Sequence, residues 1–387
     1  MSMLQRAQAL SEYITDIRRR IHQNPELGFE EHETTALLKS ELDALGIPAK
    51  VMSPTGVLGE IRGGISGGPT VLLRADIDAL PIQEETGLPY ASRNAGVSHA
   101  CGHDTHAAML LGAARLINED RDSLAGCVRL LFQPAEETGR GALAMIEQGA
   151  LEDVNVCFAE HILAQCPAGL VLTGPGPVMA GAGTFTIRVT GVTCHGAQPE
   201  TGADALLAGA AIAQNLQAIA SREVAAISPF TLTVGTLHAG DRYNIVAGHA
   251  VMEGTVRAFD RTLLKDAGER IARIASGVAA AYRCQAETEY ACTCESLLTD
   301  AAATEQLRSA AREVLPNAAM LKQGQPAMGS EDFAYISAKA PCAFAAIGGG
   351  GAYPQHNEHF TVDESALPVG AALYAQFALE YLRQRNC

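Results

Sequence analysis

The sequence predicts an α/β protein: a mainly parallel sheet flanked by helices, with a second, smaller domain inserted into it. Three observations predict this. Strand-like apolar runs alternate with helical periodicities through residues 34–159. A β-α-β-β-α-β order, the split ferredoxin-like unit, then fills residues 180–291. Helical patterns return near 300–314 and 364–384. Residues 1–179 and 292–387 therefore read as one discontinuous domain, and 180–291 as an insertion within it. A chain of 387 residues is also too long for one ordinary core.

The first element is a helix over 4–21, where Leu4, Ala7, Leu10, Ile14, Ile17 and Ile21 fall near helical spacing. Asn24-Pro25-Glu26-Leu27-Gly28 ends it. A second helix runs from Thr34 to Leu45, with Gly46 placed as its C′ residue. Strands follow near Gly56–Ile61 and Thr70–Ala75. A helix begins near Asp104 and carries Met109, Leu110 and Leu116. Val128–Phe132 reads as a buried strand, 140–148 as a helix and 154–159 as a strand. In the insertion, Gly183–Thr190 alternates as a strand, Ala203–Ala220 is an Ala-rich helix, and Phe230–Leu237 and Ala250–Phe259 are strands. Arg261–Arg283 is a long helix and Gln285–Ala291 a last strand. The run Gly348–Gly351 lacks the Gly-Lys-Ser/Thr ending of a phosphate loop and reads as a flexible loop. No Gly-x-Gly-x-x-Gly joins a strand to a helix, which excludes a dinucleotide fingerprint.

Composition narrows the function. The apolar fraction of 48% supports a packed globular protein, and no uninterrupted apolar run is long enough to span a bilayer. The N-terminal stretch carries acids within a helical pattern and does not read as a signal peptide, so a cytoplasmic location is expected. A formal charge of −15 argues against a nucleic-acid partner. Ten cysteines without disulfide-type spacing are expected to be reduced and mostly small buried residues. Cys292 and Cys294, two apart, are poorly placed for a mutual bond.

The densest chemistry lies in His99-Ala100-Cys101-Gly102-His103-Asp104-Thr105-His106, where three imidazoles, a thiol and a carboxylate suggest a transition-metal site. Similar clusters follow other apolar runs: Asp76-Ile77-Asp78, Glu136-Glu137 and Glu160-His161. In open α/β sheets functional groups gather beyond the carboxyl ends of strands, so these clusters would meet on one rim. His356, in Gln355-His356-Asn357-Glu358-His359, is a late fifth candidate. Each also has a plainer reading. Asp76 or Asp78 suits a strand-end turn, Glu136-Glu137 the first turn of a helix, His161 a bonded core histidine and His356 a surface position.

Five separated motifs then carry a resemblance that spans nearly the whole chain. They are Arg20-Ile21-His22 with Asn24-Pro25-Glu26-Leu27-Gly28, Arg74-Ala75-Asp76-Ile77-Asp78-Ala79-Leu80-Pro81, His99–Asp104, Gln133-Pro134-Ala135-Glu136-Glu137 and Gly329-Ser330-Glu331-Asp332-Phe333. The chain resembles the M20 metallopeptidase family, in particular its amidohydrolase branch of hippurate hydrolases, N-acyl-amino-acid amidohydrolases and auxin-conjugate hydrolases. The resemblance implies two divalent metal ions (Zn, Mn, Co or Ni) held by Cys101, His103, Glu137, His161 and His356, with Cys101 bridging. It implies supporting roles for Asp76 and Asp78, and Asp104 is read as a helix-start residue behind the ligands. Glu136 matches the general base. His195 matches a lid-domain histidine that reaches the partner subunit's active site, which implies a homodimer or higher homo-oligomer through the inserted lid domain. Asn244 and Arg257 match residues that bind the substrate carbonyl or carboxylate.

That assignment is chemically coherent. A bound metal ion polarises an amide carbonyl and acidifies water, and a carboxylate at Glu136 can shuttle the proton to the leaving amine. His195 can donate to the developing oxyanion, and Arg257 offers a fork suited to a carboxylate, although it also suits a strand surface. The expected substrate is a small N-acyl amino acid, hippurate-like, with no nucleic-acid or membrane partner. Departures from the family pattern cluster around the pocket and lid: Ala159-Glu160-His161 for Gly-Leu-His or Gly-Met-His, Glu358 for a proline, Asn244-Ile245-Val246-Ala247 for Asn-Val-Ile-Pro, and Cys194 for a glycine. Three other functions compete: a dipeptidase or small amide-conjugate hydrolase on the same site, a cysteine hydrolase built on Cys101, and a non-catalytic binding protein.

Overall fold

The computed structural model describes residues 1–384. Its chain forms two compact units. One comprises Met1–Val178, Leu298–Gln325 and Tyr335–Cys387, and the other Met179–Leu297 with Pro326–Ala334. Residues 292–297 and 326–334, assigned from sequence to the larger part, group with the smaller unit. Hydrogen bonds explain this. Ala180 N–H donates to Ala327 O, the Cys294 thiol to Glu331 O and Arg257 Nη1 to Ser330 Oγ.

In the larger unit eight strands form one sheet. In order across it they are Ala49–Val51, Val57–Arg62, Ala125–Gln133, Ile65–Asp76, Val156–Leu163, Cys342–Gly348, Val171–Thr173 and Leu321–Gln323. The central four run parallel, with Asp76 opposite Gln133, Arg74 opposite Ala159 and Ala346 opposite His161. Their carboxyl ends therefore lie on one edge, as strands buried on both faces and joined by helical crossovers require. Strand Ile65–Asp76 changes from exposed to buried along its length, so only its Val71–Asp76 half belongs to the core.

The helix His103–Asp120 is the centre of this unit. Every residue from His103 to Ala114 is buried, and it packs against Leu367–Gln384 and Ser11–Gln23. Its Ala107–Ala114 stretch is apolar on all sides, which is stable only when enclosed in this way. Ser11–Gln23 contributes Ile14, Ile17 and Ile21 to the core, but Arg18 and His22 lie buried on the same face.

The smaller unit is a four-stranded antiparallel sheet with Phe230–Ala239, His249–Ala258, Gly181–Thr190 and Gln285–Cys294 in that order. In chain order this is 2-3-1-4, the arrangement of a split β-α-β unit. Phe185, Ile187 and Val189 alternate into its core. Helices Ala205–Asn215 and Arg261–Ala281 supply the rest, and Asp204 and Asp260 cap them by accepting two backbone N–H groups each.

Two elements differ from expectation. The first helix breaks into Met3–Ala9 and Ser11–Gln23, because the Leu10 N–H turns back to Ala7 O and closes a tighter turn. The glycine run at 348–351 is not a loose loop. Its four N–H groups donate in turn to Leu170, Leu163, Cys166 and Ala164 carbonyls at 2.7–2.8 Å. A Cβ on Gly348 would lie 1.9 Å from Pro167 O, and one on Gly351 2.0 Å from Thr361 O. The glycines allow two backbones to touch. No helix among the described residues is long and apolar enough to cross a membrane.

The run therefore predicts that Gly351→Ala lowers stability by about 1–3 kcal/mol, the usual cost of overpacking, as measured by urea denaturation. An unchanged midpoint would mean that the segment yields freely.

Candidate active site

Beyond the carboxyl edge of the parallel strands, one buried cluster collects most of the residues singled out in sequence. His103 opens its helix after Gly102, whose φ of +92° and contact with Ile162 (a Cβ would sit 2.4 Å from Cγ2) admit only glycine. Cys101 lies on the preceding turn. His161 is carried by the strand Val156–Leu163. Glu136 and Glu137 follow the strand Ala125–Gln133 after Ala135, whose φ is +55°. His356 sits on the 349–360 loop at φ +64°, with its N–H bonded to Ala100 O at 2.8 Å.

Hydrogen bonds orient the rings. His103 Nδ1–H donates to Asp78 Oδ1 at 3.1 Å, and its Nε2, fully buried, makes no hydrogen bond. His161 Nδ1–H donates to Ile162 O at 2.7 Å, which turns its Nε2 to within 3.4 Å of Cys101 Sγ. In both, the outer nitrogen is held and the inner lone pair is offered to the cluster, the arrangement of metal-ligating histidines. Glu137 Oε1 lies 3.3 Å from His356 Nε2 and 3.9 Å from His103 Nε2, and the Glu137 backbone N–H donates to Asp78 Oδ2 at 3.0 Å.

Two groups of donors arise, each with its atoms within 4.8 Å of one another: Cys101, His103 and His161, and Cys101, Glu137 and His356. They share the Cys101 sulfur. His103 also falls within that distance of Glu136 and Glu137. Asp76, His103 and His106 form a further close group, but His106 has no lone pair to offer. Its Nδ1–H donates to Asp76 and its Nε2 accepts the Ile162 N–H at 2.8 Å. Asp76 is also paired with Arg74 Nη1 at 2.7 Å.

Electrostatics agree with the geometry. Burial pushes the Cys101 thiol well above its usual range, so a thiolate there depends on positive charge among the same residues. Burial opposes the charged form of Asp76, yet His103, His106 and Arg74 outweigh it and hold the carboxyl well below the ordinary value. Burial likewise works against Glu137, and hydrogen bonding to His356 with the charge of His103 keeps it low. A nitrogen, sulfur and carboxylate set with an orphaned imidazole nitrogen at its centre fits divalent transition ions.

Asp104 opens the same helix but bonds elsewhere, to Arg18 Nε at 2.7 Å and His22 Nδ1 at 2.8 Å. In the smaller unit, a two-residue ribbon places His195 opposite Ile245, and Gly196 N–H bonds Asn244 O at 2.9 Å, so His195 and Asn244 are neighbours. The Ala197 N–H donates to His195 Nδ1 at 3.0 Å, leaving the exposed Nε2 as the protonated nitrogen. Arg257 lies on the strand His249–Ala258 and donates to Ser330 Oγ at 3.0 Å.

Sequence reasoning missed Glu31. Its buried carboxylate accepts the Ala135 N–H at 2.9 Å and the Thr55 hydroxyl at 2.5 Å, fixing the turn that presents Glu136 and Glu137. The signal was an acid pair, Glu30-Glu31, just after the Asn24–Gly28 motif. Glu160 is different again. Neither of its oxygens has a hydrogen-bond partner, it is fully buried against Gly370, and burial pushes its carboxyl well above the ordinary range. Such a group is protonated when folded and ionised when unfolded above its ordinary value. Its effect on stability thus grows more adverse as pH rises from about 5 toward the raised value. Glu160→Met is expected to unfold at higher urea than the parent, with a gain of about 1–3 kcal/mol that is larger at pH 8 than at pH 5. A gain independent of pH would refute the buried neutral acid.

Comparisons with known proteins agree with this geometry. The sequence profile described as peptidase family M20/M25/M40 matches residues 72–380. The chain is 40% identical over 359 residues to the N-acetyl-L-cysteine deacetylase of Bacillus subtilis, covering 92% of this chain and 85% of that one. It is 36% identical over 381 residues to thermostable carboxypeptidase 2 of Saccharolobus solfataricus, covering 96% of each. A solved Bacillus subtilis structure, described as a dinuclear metal-binding peptidase of the M20 family, superposes with a TM-score of 0.87 at 34% identity, covering 97% of this chain and 99% of that one.

Proposed function

The chain belongs to peptidase family M20/M25/M40 and is a hydrolase, and we propose that it hydrolyses an amide whose amine side is an amino acid with a free carboxylate, using two divalent metal ions. The observation that carries this reading is the shared sulfur: Cys101 belongs to both close donor groups, beside an unpartnered His103 Nε2. Cys101, His103, Glu137, His161 and His356 would hold the ions, which supply Lewis acidity and an acidified water. The donor set suits Zn, Mn, Co or Ni.

The chain's own residues would do the rest. Asp78 holds His103 and the Glu137 backbone in register. Glu136, whose carboxylate lies within 4.8 Å of Glu137 and His103, takes the proton of the attacking water and delivers it to the leaving nitrogen. His195 Nε2–H donates to the oxyanion, and Asn244 beside it binds the same carbonyl. Arg257, steadied by Ser330, pairs with the substrate carboxylate.

The relatives' names support that choice of scissile bond. An N-acetyl amino acid deacetylase and a carboxypeptidase both cut the amide that precedes a free α-carboxylate. They differ only in the acyl side, an acyl group in one and a peptide in the other. N-acyl amino acids are the favoured substrates here, with short peptides the second reading. A cysteine hydrolase fits less well: His161 Nε2 does lie 3.4 Å from the Cys101 sulfur, but burial disfavours the thiolate, and that reading leaves Glu137 and His356 beside the same sulfur without a role. A second copy as partner is supported by exposed apolar side chains in the smaller unit: Leu206, Tyr243 and Ile245 line one surface cleft with Gly196, the residue after His195.

Three outcomes are expected. Chelation abolishes hydrolysis of an N-acyl amino acid panel, and divalent metal restores it. Activity that survives chelation would overturn the metal mechanism. Glu136→Gln lowers kcat by about 10²–10⁴-fold with metal content unchanged; parental turnover would remove Glu136 from the reaction. Mixing inactive Glu136→Ala and His195→Ala proteins restores part of the activity, since one of the two sites in a mixed dimer is then intact. An active monomer by sedimentation would refute the shared site.

A further inference from the structure

His22, from the Arg20-Ile21-His22 motif, and Asp104 have no step in the reaction above, yet with Arg18 they form an enclosed ionic cluster next to the site. Arg18 and Asp104 are fully buried and His22 nearly so. Asp104 Oδ2 accepts from Arg18 Nε at 2.7 Å and from His22 Nδ1 at 2.8 Å. His22 Nε2 reaches Glu84 Oε1 at 3.3 Å, so both ring nitrogens face carboxylates and the ring is an imidazolium. Glu84 is itself held by the Thr86 hydroxyl and the Ser92 N–H. Arg18 Nη1 donates to Tyr90 Oη at 2.8 Å and Glu364 Oε1 at 2.9 Å.

We propose that Arg18 and His22 are positioning residues of the metal centre, acting on Cys101 and His103 through Asp104. The inference rests on reading those two residues as ligands. Asp104 is the residue after His103, in the first turn of the helix. That turn has no ordinary anchor: its N-cap is Gly102, which offers no side-chain acceptor, and the Thr105 hydroxyl donates backward to Gly102 O. The turn is therefore fixed from outside. Asp78 grips His103 from the sheet side, and Asp104 ties the same turn to the helix Ser11–Gln23 and to Glu84 and Glu364 beyond it. Metal–ligand distances tolerate about 0.2 Å of error, so a loosened first turn takes His103 Nε2 and the preceding Cys101 sulfur out of range together.

The test is metal binding, followed with Co²⁺ as the probe. Metal-free protein is titrated by calorimetry and by visible absorption, where a bound thiolate gives a sulfur-to-metal charge-transfer band. His22→Gln and Arg18→Met are each expected to bind Co²⁺ about 10–100-fold more weakly with a weakened band, while far-UV circular dichroism remains native. Native affinity and spectrum in folded His22→Gln would overturn the proposal. If His22→Gln does not fold, Glu84→Gln, which loosens His22 from its outer side, is judged by the same two criteria. Cys101→Ala separates the layers. Loss of its charge-transfer band upholds the ligand reading on which the proposal stands, and an unchanged band would refute that reading and the proposal with it.

Discussion

Asp78 uses its two oxygens to join stretches of chain that the sheet leaves unconnected. Oδ1 takes the Nδ1–H of His103, at the start of a helix, and Oδ2 takes the backbone N–H of Glu137, past the end of a strand. The carboxylate is buried at 1% exposure, so neither bond competes with water. Everything the site can do depends on this bridge. It sets the tautomer of His103, leaves Nε2 as the inward lone pair, and keeps the Glu136–Glu137 backbone from swinging away. Parallel strands make the bridge possible, because Ile65–Asp76 and Ala125–Gln133 end at the same level, with Asp76 opposite Gln133.

The parts legible in the sequence are those encoded locally. Strand cores such as Val71-Leu72-Leu73 and Leu130-Leu131-Phe132 announce themselves by continuous apolarity, and helix Arg261–Ala281 by its period. The dense His99–His106 segment marked a site because metal-type donors rarely crowd together without cause. What local pattern does not encode is partnership at a distance. Arg18 and His22 finish the apolar face of Ile14, Ile17 and Ile21, and nothing beside them shows that Asp104, 86 and 82 residues away, neutralises both. The glycine run failed for a similar reason. Its composition matches a loose loop, and its rigidity comes from carbonyls at 163–170 that approach only in the folded chain. Segment 326–334 has no periodicity of its own and takes its place from bonds to Ala180, Arg257 and Cys294.

Three buried carboxyls show how the surroundings of a side chain decide its charge. Asp76, Asp104 and Glu160 are all fully enclosed, and burial alone drives each toward the neutral acid. Asp104 resists because Arg18 and His22 donate to one of its oxygens, and their charges hold it far below the ordinary range. Asp76 resists because Arg74 and His106 bond to it. Glu160 has no such donors and stays protonated. Alternation along Val156–Leu163 separates it from its neighbour: His161 turns toward Cys101, and Glu160 turns toward Gly370 on the opposite face. One strand thus presents a metal-type donor on one side and a neutral acid on the other, without either compromising the other.

Two candidate functional segments turn through backbone geometry that ordinary residues avoid. Ala135 and His356 both have positive φ, at +55° and +64°, a conformation that costs non-glycine residues about 1–3 kcal/mol. Each turn is also held from a distance. The Ala135 N–H is taken by Glu31, 104 positions earlier, and the His356 N–H by Ala100 O, in the segment that carries Cys101. The second bond makes the arrangement self-consistent. The loop bearing the most exposed candidate ligand is fastened to the backbone of the most buried ones, so the two donor groups that share Cys101 cannot move apart without breaking it. Strain at these turns is tolerated because each is over-determined by a distant partner, and those partners are in place only once the parallel sheet has brought its carboxyl ends together.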